Sequence, residues 1–245
     1  MKKITKFTPT DIEMSGEKYV DFCNRAGEAF RKRRDELDKE MLDMYKTTNM
    51  KKHYKSVFEN EQELLMALSD IHFNGQDFEL DPMFFKGNFY KGGVNRPKYT
   101  FDLNPQDDTT KQGNAENLPI ESKSLERIIL DPPFLFGVHG KTKEYYSSKT
   151  HTIYKNFDEL YVAYENILKE AHRLLKKGGH LVFKCQDYTD SKTTMTHCIV
   201  YLLATTIGFY AKDLAILVKP NKITNPNTIQ RHLRKIHTYF WVFKK

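Results

Sequence analysis

The chain has 245 residues, of which 39% are hydrophobic, and a formal net charge of +7. This length predicts one large α/β domain or a domain with an extension, and the positive charge favours an anionic partner such as nucleic acid. No apolar run reaches the roughly 18 residues of a membrane span. The three cysteines lack metal-ligand spacing, and residues 1–3 lack the apolar stretch of a secretory signal. We therefore expect a cytoplasmic protein with free thiols, no metal site and no membrane segment.

The first 75 residues are predicted to form a helical N-terminal extension. Residues 11 to about 72 are highly charged, and their apolar side chains recur about one helical turn apart. These apolar positions are Tyr19, Phe22, Cys23, Ala26, Phe30, Leu64, Leu65 and Leu68. The basic run 31–34 lies within the first helical stretch. A solvated helix face is the favoured interpretation of this run, with phosphate contact as the alternative.

From about residue 77, predicted strands alternate with predicted helices. The strands are predicted over residues 78–81, 99–102, 127–130, 180–184, 214–218 and 238–243. An amphipathic helix is predicted over 156–177, with Asn156 as its N-cap and Gly178 and Gly179 at its end. A second helix is predicted over 195–207. This alternation predicts an α/β domain over residues 76–245, with a mostly parallel sheet covered on both faces.

An aspartate stands at the end of each of the first three predicted strands. Asp81, Asp102 and Asp131 are separated by about 20 to 30 residues in the sequence. Ligands of open α/β sheets bind beyond the carboxyl ends of the strands. The three carboxylates are therefore expected to line one ligand site.

The tetrapeptide formed by Asp131, Pro132, Pro133 and Phe134 follows the apolar run 128–130. Two prolines fix φ and remove N–H donors, so the segment is expected to be stiff. It offers a carboxylate, backbone carbonyls and a ring, which can hold a planar base through its exocyclic amine. The alternative is an ordinary turn after a strand, with Phe134 in the core.

The segment from Asp81 to Phe134 resembles class I S-adenosylmethionine-dependent methyltransferases, specifically the group that methylates amines of nucleic-acid bases. The resemblance extends over roughly residues 77–245. It implies a Rossmann-like fold in which the last strand of the mostly parallel sheet is antiparallel. It also implies S-adenosyl-L-methionine as the cofactor and Asp131, Pro132, Pro133 and Phe134 as the catalytic motif.

The resemblance further implies a set of cofactor-binding residues. The acid and the glycine-containing loop that hold the methionine part correspond to Asp81, Pro82, Phe85 and Gly87. Asp102 corresponds to the acid that binds the ribose hydroxyls, and Asn114 and Ala115 lie in the segment that holds the adenine ring. Phe85 stands where many members have glycine, so a catalytically inactive nucleic-acid-binding module stays open as an alternative.

Two later segments combine basic and aromatic residues in a pattern that suits contact with a nucleic acid. The loop after Phe134 contains Lys141, Lys143, Tyr145 and Tyr146, and the segment between the last two strands contains Arg231 and Arg234. A solvated loop is the alternative in each case.

The sequence thus predicts a methyltransferase that acts on an exocyclic amine of a nucleic-acid base. Adenine N6 in DNA is the favoured acceptor, and DNA is favoured over RNA as the partner. Adenine N6 or guanine N2 in RNA and cytosine N4 stay open. Nothing in the sequence indicates the recognition site or the oligomeric state.

Overall fold

The computed structural model describes residues 28, 31–32, 35–36, 53–138, 153–189, 192–219, 232–233 and 235–245. The chain divides into two compact units, Met1–His53 and Tyr54–Lys245. The described residues of the first unit are helical, except for His53 at its end, and Arg31 and Lys32 are exposed there. Arg33 and Arg34 lie outside the described residues. No described helix is long and apolar enough to cross a membrane.

The second unit is built from strands and helices that alternate along the chain. Its described strands are β1 (Val57–Phe58), β2 (Leu80–Asp81), β3 (Tyr99–Asp102), β4 (Lys111–Gln112), β5 (Leu125–Leu130), β6 (Leu175–Cys185), β7 (Tyr188–Thr189), β8 (Thr193–Thr194), β9 (Tyr210–Val218) and β10 (His237–Lys244). Its described helices are α1 (Glu61–His72), α2 (Phe157–Leu174) and α3 (Thr196–Ile207), with a short 3₁₀ turn over Asn88–Tyr90.

The main sheet has the strand order β1-β9-β10-β6-β5-β2-β3-β4, and β7 and β8 form a separate two-stranded sheet. Strand β10 runs antiparallel to both of its neighbours, β6 and β9, whereas the other pairs of the main sheet are parallel. The prediction of a mostly parallel sheet with an antiparallel last strand is therefore confirmed. From β2, the chain first adds β3 and β4 on one side and then β5 and β6 on the other. The strand order thus reverses between β2 and β5, the position where ligands bind in such folds.

Both faces of the sheet are covered, which explains the apolar character of its strands. Leu181 and Phe183 of β6 belong to the buried cluster that also contains Leu160 and Leu168 of α2. Val182, which lies between them in the sequence, belongs to a second cluster with residues of α1. Because neighbouring residues of a strand point to opposite faces, α2 and α1 cover opposite faces of the sheet.

Helix α2 begins as the sequence predicts but ends earlier. The Asn156 side chain accepts a hydrogen bond from the Glu159 backbone N–H at 2.9 Å, which caps the helix. The helix ends at Leu174 rather than near the two glycines. Leu175 is fully buried and already pairs with Leu125 of β5, so the chain enters the sheet before it reaches Gly178.

The boundary between the two units falls between residues 53 and 54 of the chain, whereas the sequence pattern predicts a boundary between residues 75 and 76. The difference arises because β1 and α1 pack with the sheet. Val57 pairs with Ile216 of β9, and Leu64 and Leu65 are fully buried in the core. The predicted helical run around these two leucines is α1.

Candidate active site

Three aspartates lie at the carboxyl ends of three adjacent strands. Asp81 ends β2, Asp102 ends β3 and Asp131 directly follows β5. These strands are neighbours in the order β5-β2-β3, and the charges of both Asp131 and Asp102 act on Asp81. The structure therefore brings together the three carboxylates that the sequence analysis placed at strand ends.

Asp81 is buried and organises the loop that follows it. Its Oδ1 accepts a hydrogen bond from the Met83 N–H at 2.9 Å, and its Oδ2 accepts one from the Tyr90 hydroxyl at 2.7 Å. Burial raises the pKa of Asp81 to about 7, and repulsion from Asp131 and Asp102 adds to this effect. The two hydrogen bonds oppose the rise because they favour the charged form. Asp81 thus anchors both ends of the loop between residues 82 and 90.

This raised pKa leads to a prediction about stability. The folded protein keeps the Asp81 proton up to a pH of about 7, whereas the unfolded chain releases it near pH 3.8. The free energy of unfolding should therefore fall as the pH rises between these values and level off above them. Asp81→Asn removes this dependence. Each pH unit between the two pKa values corresponds to roughly 1.4 kcal/mol. The free energy of unfolding of the variant, relative to that of wild type, should therefore rise by on the order of 4 kcal/mol between pH 3.8 and a pH of about 7.

Urea unfolding of wild type and Asp81→Asn at several pH values between 4 and 8 would measure this change. Asp108→Asn, at an exposed aspartate, serves as the control for the loss of a carboxyl group. A constant difference between wild type and Asp81→Asn across the range would contradict the raised pKa.

The loop after Asp81 is packed around the ring of Phe84. This ring stacks on Tyr90 with a centroid distance of 5.4 Å, and the Arg96 guanidinium lies 4.0 Å from its centroid. Gly87 has a φ of +61°, and a Cβ at this position would lie 2.5 Å from a Phe84 ring atom. Both the backbone conformation and the close ring therefore require glycine at position 87.

Phe85 connects this loop to the next strand end. Its φ is +47°, a left-handed conformation that is uncommon for a bulky residue. In this conformation, its backbone N–H donates a hydrogen bond to Asp102 Oδ2 at 2.8 Å. Pro82 is buried, whereas Phe85 is half-buried. The loop is thus tied to Asp81 at both ends and to Asp102 near its middle.

The carboxylate of Asp102 has room for further donors. Its Oδ1 accepts a hydrogen bond from the Asn104 N–H at 2.8 Å, and its Oδ2 accepts the one from Phe85. The side chain is half-buried, and each carboxylate oxygen has a second lone pair. These residues fit a ligand that presents two hydroxyl groups to the strand end.

The segment with Asn114 and Ala115 starts beside Asp102. The Gly113 N–H donates to the Asp102 backbone carbonyl at 2.9 Å. Asn114 is exposed, and its Oδ1 accepts a hydrogen bond from the Glu116 N–H at 3.0 Å, whereas Ala115 is buried. The segment therefore forms a tight turn next to the end of β3.

Helix α2 holds the far end of this segment through Glu170. The buried Glu170 accepts a hydrogen bond from the Leu118 N–H at 2.8 Å and forms a two-point contact with the Arg173 guanidinium at 2.7 Å. Burial raises the pKa of Glu170, but the bonds from Arg173 and Leu118 outweigh it, so the pKa lies below its usual value. Arg173 also donates to the Leu118 and Ile120 carbonyls. The pair thus fixes the course of the chain after Ala115.

We expect Glu170→Ala to lower the free energy of unfolding by about 2–3 kcal/mol, because it removes a buried carboxylate that satisfies both a buried N–H and Arg173. Chemical denaturation would measure this loss. Glu165→Ala on the same helix removes an exposed ion pair with Lys169 and should cost no more than about 0.5 kcal/mol. Equal effects of the two substitutions would argue against a special role for Glu170.

The Asp131 to Phe134 segment is stiff and partly open to solvent. The Asp131 side chain is 36% exposed, and its Oδ2 accepts a hydrogen bond from Lys184 Nζ at 2.8 Å. Pro132 is buried, and the Pro133 carbonyl accepts a hydrogen bond from the Tyr164 hydroxyl at 3.0 Å. Phe134 is half-buried. The carboxylate is thus held at the edge of the sheet while remaining accessible.

The sequence pattern does not indicate which residues hold Asp131. Lys184, near the end of β6, lies 3.0 Å from Glu61 Oε1 as well as 2.8 Å from Asp131 Oδ2. Burial lowers the pKa of Lys184, but attraction to Asp131 and Glu61 outweighs it, so the pKa lies above its usual value. The one sequence feature that points to Lys184 is its position directly after the apolar run Leu181–Phe183, at the carboxyl end of a predicted strand.

A second polar cluster follows β6. The buried Asp187 accepts a hydrogen bond from His197 Nδ1 at 2.7 Å, and the Tyr239 hydroxyl lies 3.4 Å from its other oxygen. The His197 and Tyr239 rings stack with a centroid distance of 4.2 Å. Burial raises the pKa of the neighbouring Cys185 thiol, and the charges of Asp187 and Asp131 add to the rise. The cluster therefore adjoins the Asp131 side of the site.

The six candidate contacts to nucleic acid cannot be located in the structure. Lys141, Lys143, Tyr145, Tyr146, Arg231 and Arg234 lie outside the described residues. The points of attachment are described, however. Val138 precedes the first segment and follows Asp131 closely in the chain. The second segment connects Val218 and His237, which pair with each other where β9 ends and the antiparallel β10 begins. Both segments are thus attached at the edge of the sheet where the aspartates lie.

Several solved structures are similar to this chain. TTHA0409 from Thermus thermophilus, complexed with S-adenosyl-L-methionine, is 20% identical over 54% of this chain and 53% of that chain, with a TM-score of 0.37. A SAM dependent methyltransferase from Archaeoglobus fulgidus is 14% identical over 77% of this chain and 96% of that chain, with a TM-score of 0.43. The PvuII DNA methyltransferase (cytosine-N4-specific) is 16% identical over 54% of this chain and 47% of that chain, with a TM-score of 0.40.

The chain thus spans about half the length of TTHA0409 and of the PvuII enzyme. A comparison with curated proteins finds no match. A family model described as DNA methylase, N6_N4_Mtase, matches residues 125–245, which include Asp131 and the strands β5, β6, β9 and β10. Residues 125–245 of this chain are therefore similar to the N6/N4 DNA methylases.

Proposed function

We propose that this protein transfers a methyl group from S-adenosyl-L-methionine to an exocyclic amine of a nucleic-acid base, with adenine N6 in DNA as the acceptor. The observation that carries the proposal is the placement of Asp131. It directly follows β5, where the strand order reverses, it lies beside Asp81, and it falls within the part of the chain that matches the DNA methylases.

The cofactor is held by the ends of β2 and β3 and the turn after them. When bound, S-adenosylmethionine supplies an activated methyl group. Asp102 accepts hydrogen bonds from the ribose hydroxyls with the lone pairs that Phe85 and Asn104 leave free. The loop with Asp81, Pro82, Phe85 and Gly87 cradles the methionine part, and Asn114 and Ala115 contact the adenine ring. These roles are supported by the hydrogen bonds that tie the loop and the strand ends together.

The acceptor base is held by the Asp131 to Phe134 segment. Asp131 and the Pro132 carbonyl accept hydrogen bonds from the amine, which favours a pyramidal nitrogen with an available lone pair. The hydrogen bond from Tyr164 to the Pro133 carbonyl keeps this segment stiff, and such positioning supplies much of the rate enhancement. Phe134 stacks on the base, which must leave its duplex to reach the site.

The test is incubation of the protein with isotope-labelled S-adenosylmethionine and separate DNA and RNA pools, followed by nucleoside mass spectrometry. The proposal predicts labelled N6-methyladenine from the DNA pool. Label confined to RNA, or found on cytosine N4 or guanine N2, would replace the adenine assignment. Absence of label from every nucleoside would overturn the proposal.

A non-catalytic nucleic-acid-binding module is the second candidate function. The observation that favours it is the left-handed backbone at Phe85, a bulky residue in the proposed cofactor loop. Isothermal titration with S-adenosylmethionine and with its demethylated product separates the candidates. A protein that binds nucleic acid but neither cofactor form belongs to the second class.

The two segments outside the described residues lead to a prediction about salt dependence. We expect joint neutralisation of Lys141, Lys143, Arg231 and Arg234 to weaken DNA binding and to flatten its dependence on salt. The slope of log affinity against log salt should fall by about 0.7–0.9 for each phosphate contact removed. Fluorescence anisotropy over a salt series would measure it. Neutralisation of Arg31, Arg33 and Arg34 is the comparison, and an effect of this variant alone would place the DNA on the N-terminal residues instead.

A further inference from the structure

We propose that Lys184 is a positioning residue for Asp131: it binds one carboxylate oxygen and so leaves the other oriented toward the acceptor amine. This inference rests on the proposed function, because it assigns Lys184 a part in the same reaction. Lys184 belongs to β6, the strand next to the catalytic motif, and its sequence pattern indicates no role.

The register of the sheet places the two residues side by side. Leu130 of β5 pairs with Phe183 of β6 in parallel, so Asp131 and Lys184 are the next residues on two neighbouring strands. The Lys184 ammonium donates a hydrogen bond to Asp131 Oδ2 at 2.8 Å. Because Asp131 is the first residue beyond its strand, this bond fixes a carboxylate that the sheet alone would leave free to rotate.

Other contacts determine where the ammonium lies. Glu61, at the start of α1, forms an ion pair with it at 3.0 Å, although Glu61 Oε1 lies outside hydrogen-bond geometry. The rings of Phe89 and Phe240 lie 4.7 Å and 5.8 Å from the ammonium, distances at which aromatic faces attract cations. Lys184 is only 17% exposed. The ammonium is thus confined between α1, the 3₁₀ turn and β10, and its direction toward Asp131 is fixed.

The charges around Asp131 make this cation important. Apart from Lys184, the charge of Asp131 acts on four titratable groups of the described residues, none of which is a cation: Asp81 of β2, Tyr90 of the 3₁₀ turn, Tyr164 of α2 and Cys185 of β6. Lys184 is a cation in direct contact with the carboxylate. The ammonium offsets the negative charge of the carboxylate and occupies Oδ2, so Oδ1 is left to accept a hydrogen bond from the amine.

A purely structural role accounts poorly for a lysine at this position. Burial of a charged pair costs desolvation that its attraction only partly repays, and an apolar residue of similar size is often as stable. The residues before it in the strand, Leu181 to Phe183, are fully buried and apolar. A role in holding Asp131 explains why the apolar pattern stops at the residue that faces the carboxylate.

The test compares Lys184→Met, which keeps the length of the side chain without the charge, with Lys184→Arg, which keeps the charge. Lys176→Met is the matched control, because Lys176 is an exposed lysine of the same strand that pairs with Glu126 at 2.9 Å. We expect Lys184→Met to lower kcat at least about tenfold, with S-adenosylmethionine affinity within about threefold of wild type. Lys184→Arg should restore much of kcat, and Lys176→Met should stay near wild type.

A second readout is independent of catalysis. In protein labelled with ¹³C at aspartate carboxyl carbons, the Asp131 resonance is identified by its absence from Asp131→Asn. At one fixed pH its chemical shift should change in Lys184→Met, because the carboxylate loses its hydrogen bond from the ammonium, and should stay near the wild-type value in Lys184→Arg. If Lys184→Met does not fold, Lys184→Gln carries the same comparison.

The outcomes separate this inference from the proposed function. An unchanged kcat and an unchanged Asp131 resonance in folded, neutral Lys184 variants would overturn the positioning role, even if methyl transfer by the wild type is confirmed. A wild type that transfers no methyl group, yet shows an Asp131 resonance that depends on Lys184, would overturn the proposed function and support the pairing of Lys184 with Asp131.

Discussion

Replacement of Asp131 with alanine should abolish methyl transfer and only modestly weaken cofactor binding. The carboxylate lies at the carboxyl end of β5, and its 36% exposed side chain is the group that would meet the acceptor amine. Loss of a positioned polar group of this kind lowers kcat by about 10²–10³, equivalent to roughly 2.7–4 kcal/mol in the transition state. Turnover of labelled S-adenosylmethionine and isothermal titration of the same variant would measure the two effects separately.

Asp158→Ala is the matched control for this experiment. Asp158 is an exposed aspartate in the first turn of α2, and its removal should leave turnover close to wild type. Near-wild-type turnover in Asp131→Ala would remove this residue from the mechanism. If cofactor affinity fell by as large a factor as turnover, Asp131 would instead be assigned to cofactor binding.

Replacement of Asp102 with alanine should weaken S-adenosylmethionine binding about tenfold or more. Two charge-assisted hydrogen bonds to ribose hydroxyls are lost, each worth roughly 1.5–3 kcal/mol. The structure adds a second cause, because Asp102 also holds the backbone N–H groups of Phe85 and Asn104. The loop that cradles the methionine part therefore loosens in the same variant. Isothermal titration would measure the change in affinity.

Two further variants separate these causes. Asp102→Asn keeps one acceptor oxygen and should bind more tightly than Asp102→Ala, but less tightly than wild type. Asp108→Ala changes an exposed aspartate in the following loop and should bind as wild type does. Unchanged affinity in Asp102→Ala would show that the end of β3 is not the ribose site.

The features that the sequence predicts well are those with a local signal. An apolar run followed by an acid marks the ends of β2, β3 and β5, because a buried strand must end where a charged side chain meets solvent. Asn156 was identifiable as the cap of α2 because a cap needs only a side-chain oxygen and the N–H groups that follow. Because strands and helices alternate along the chain, the carboxyl ends of the strands are expected at one edge of the sheet.

The features that the sequence does not reveal depend on residues far apart in the chain. Lys184 meets Asp131 and Glu61 only after β6 has paired with β5 and α1 has packed against the sheet. Leu175 enters the sheet before the glycines because of its pairing with Leu125, which no local pattern indicates. The need for glycine at position 87 arises largely from the position of the Phe84 ring, a packing detail without a sequence signature.

The most direct test of the account is methyl transfer to two matched DNA duplexes, one with adenine and one in which purine, which lacks the exocyclic amine, replaces it. The protein is incubated with each duplex and labelled S-adenosylmethionine, and the nucleosides are identified by mass spectrometry. The account predicts labelled N6-methyladenine from the first duplex and no labelled nucleoside from the second. A methyl group on a ring atom, or no labelled nucleoside although the cofactor binds, would contradict the assignment of Asp131 to an exocyclic amine.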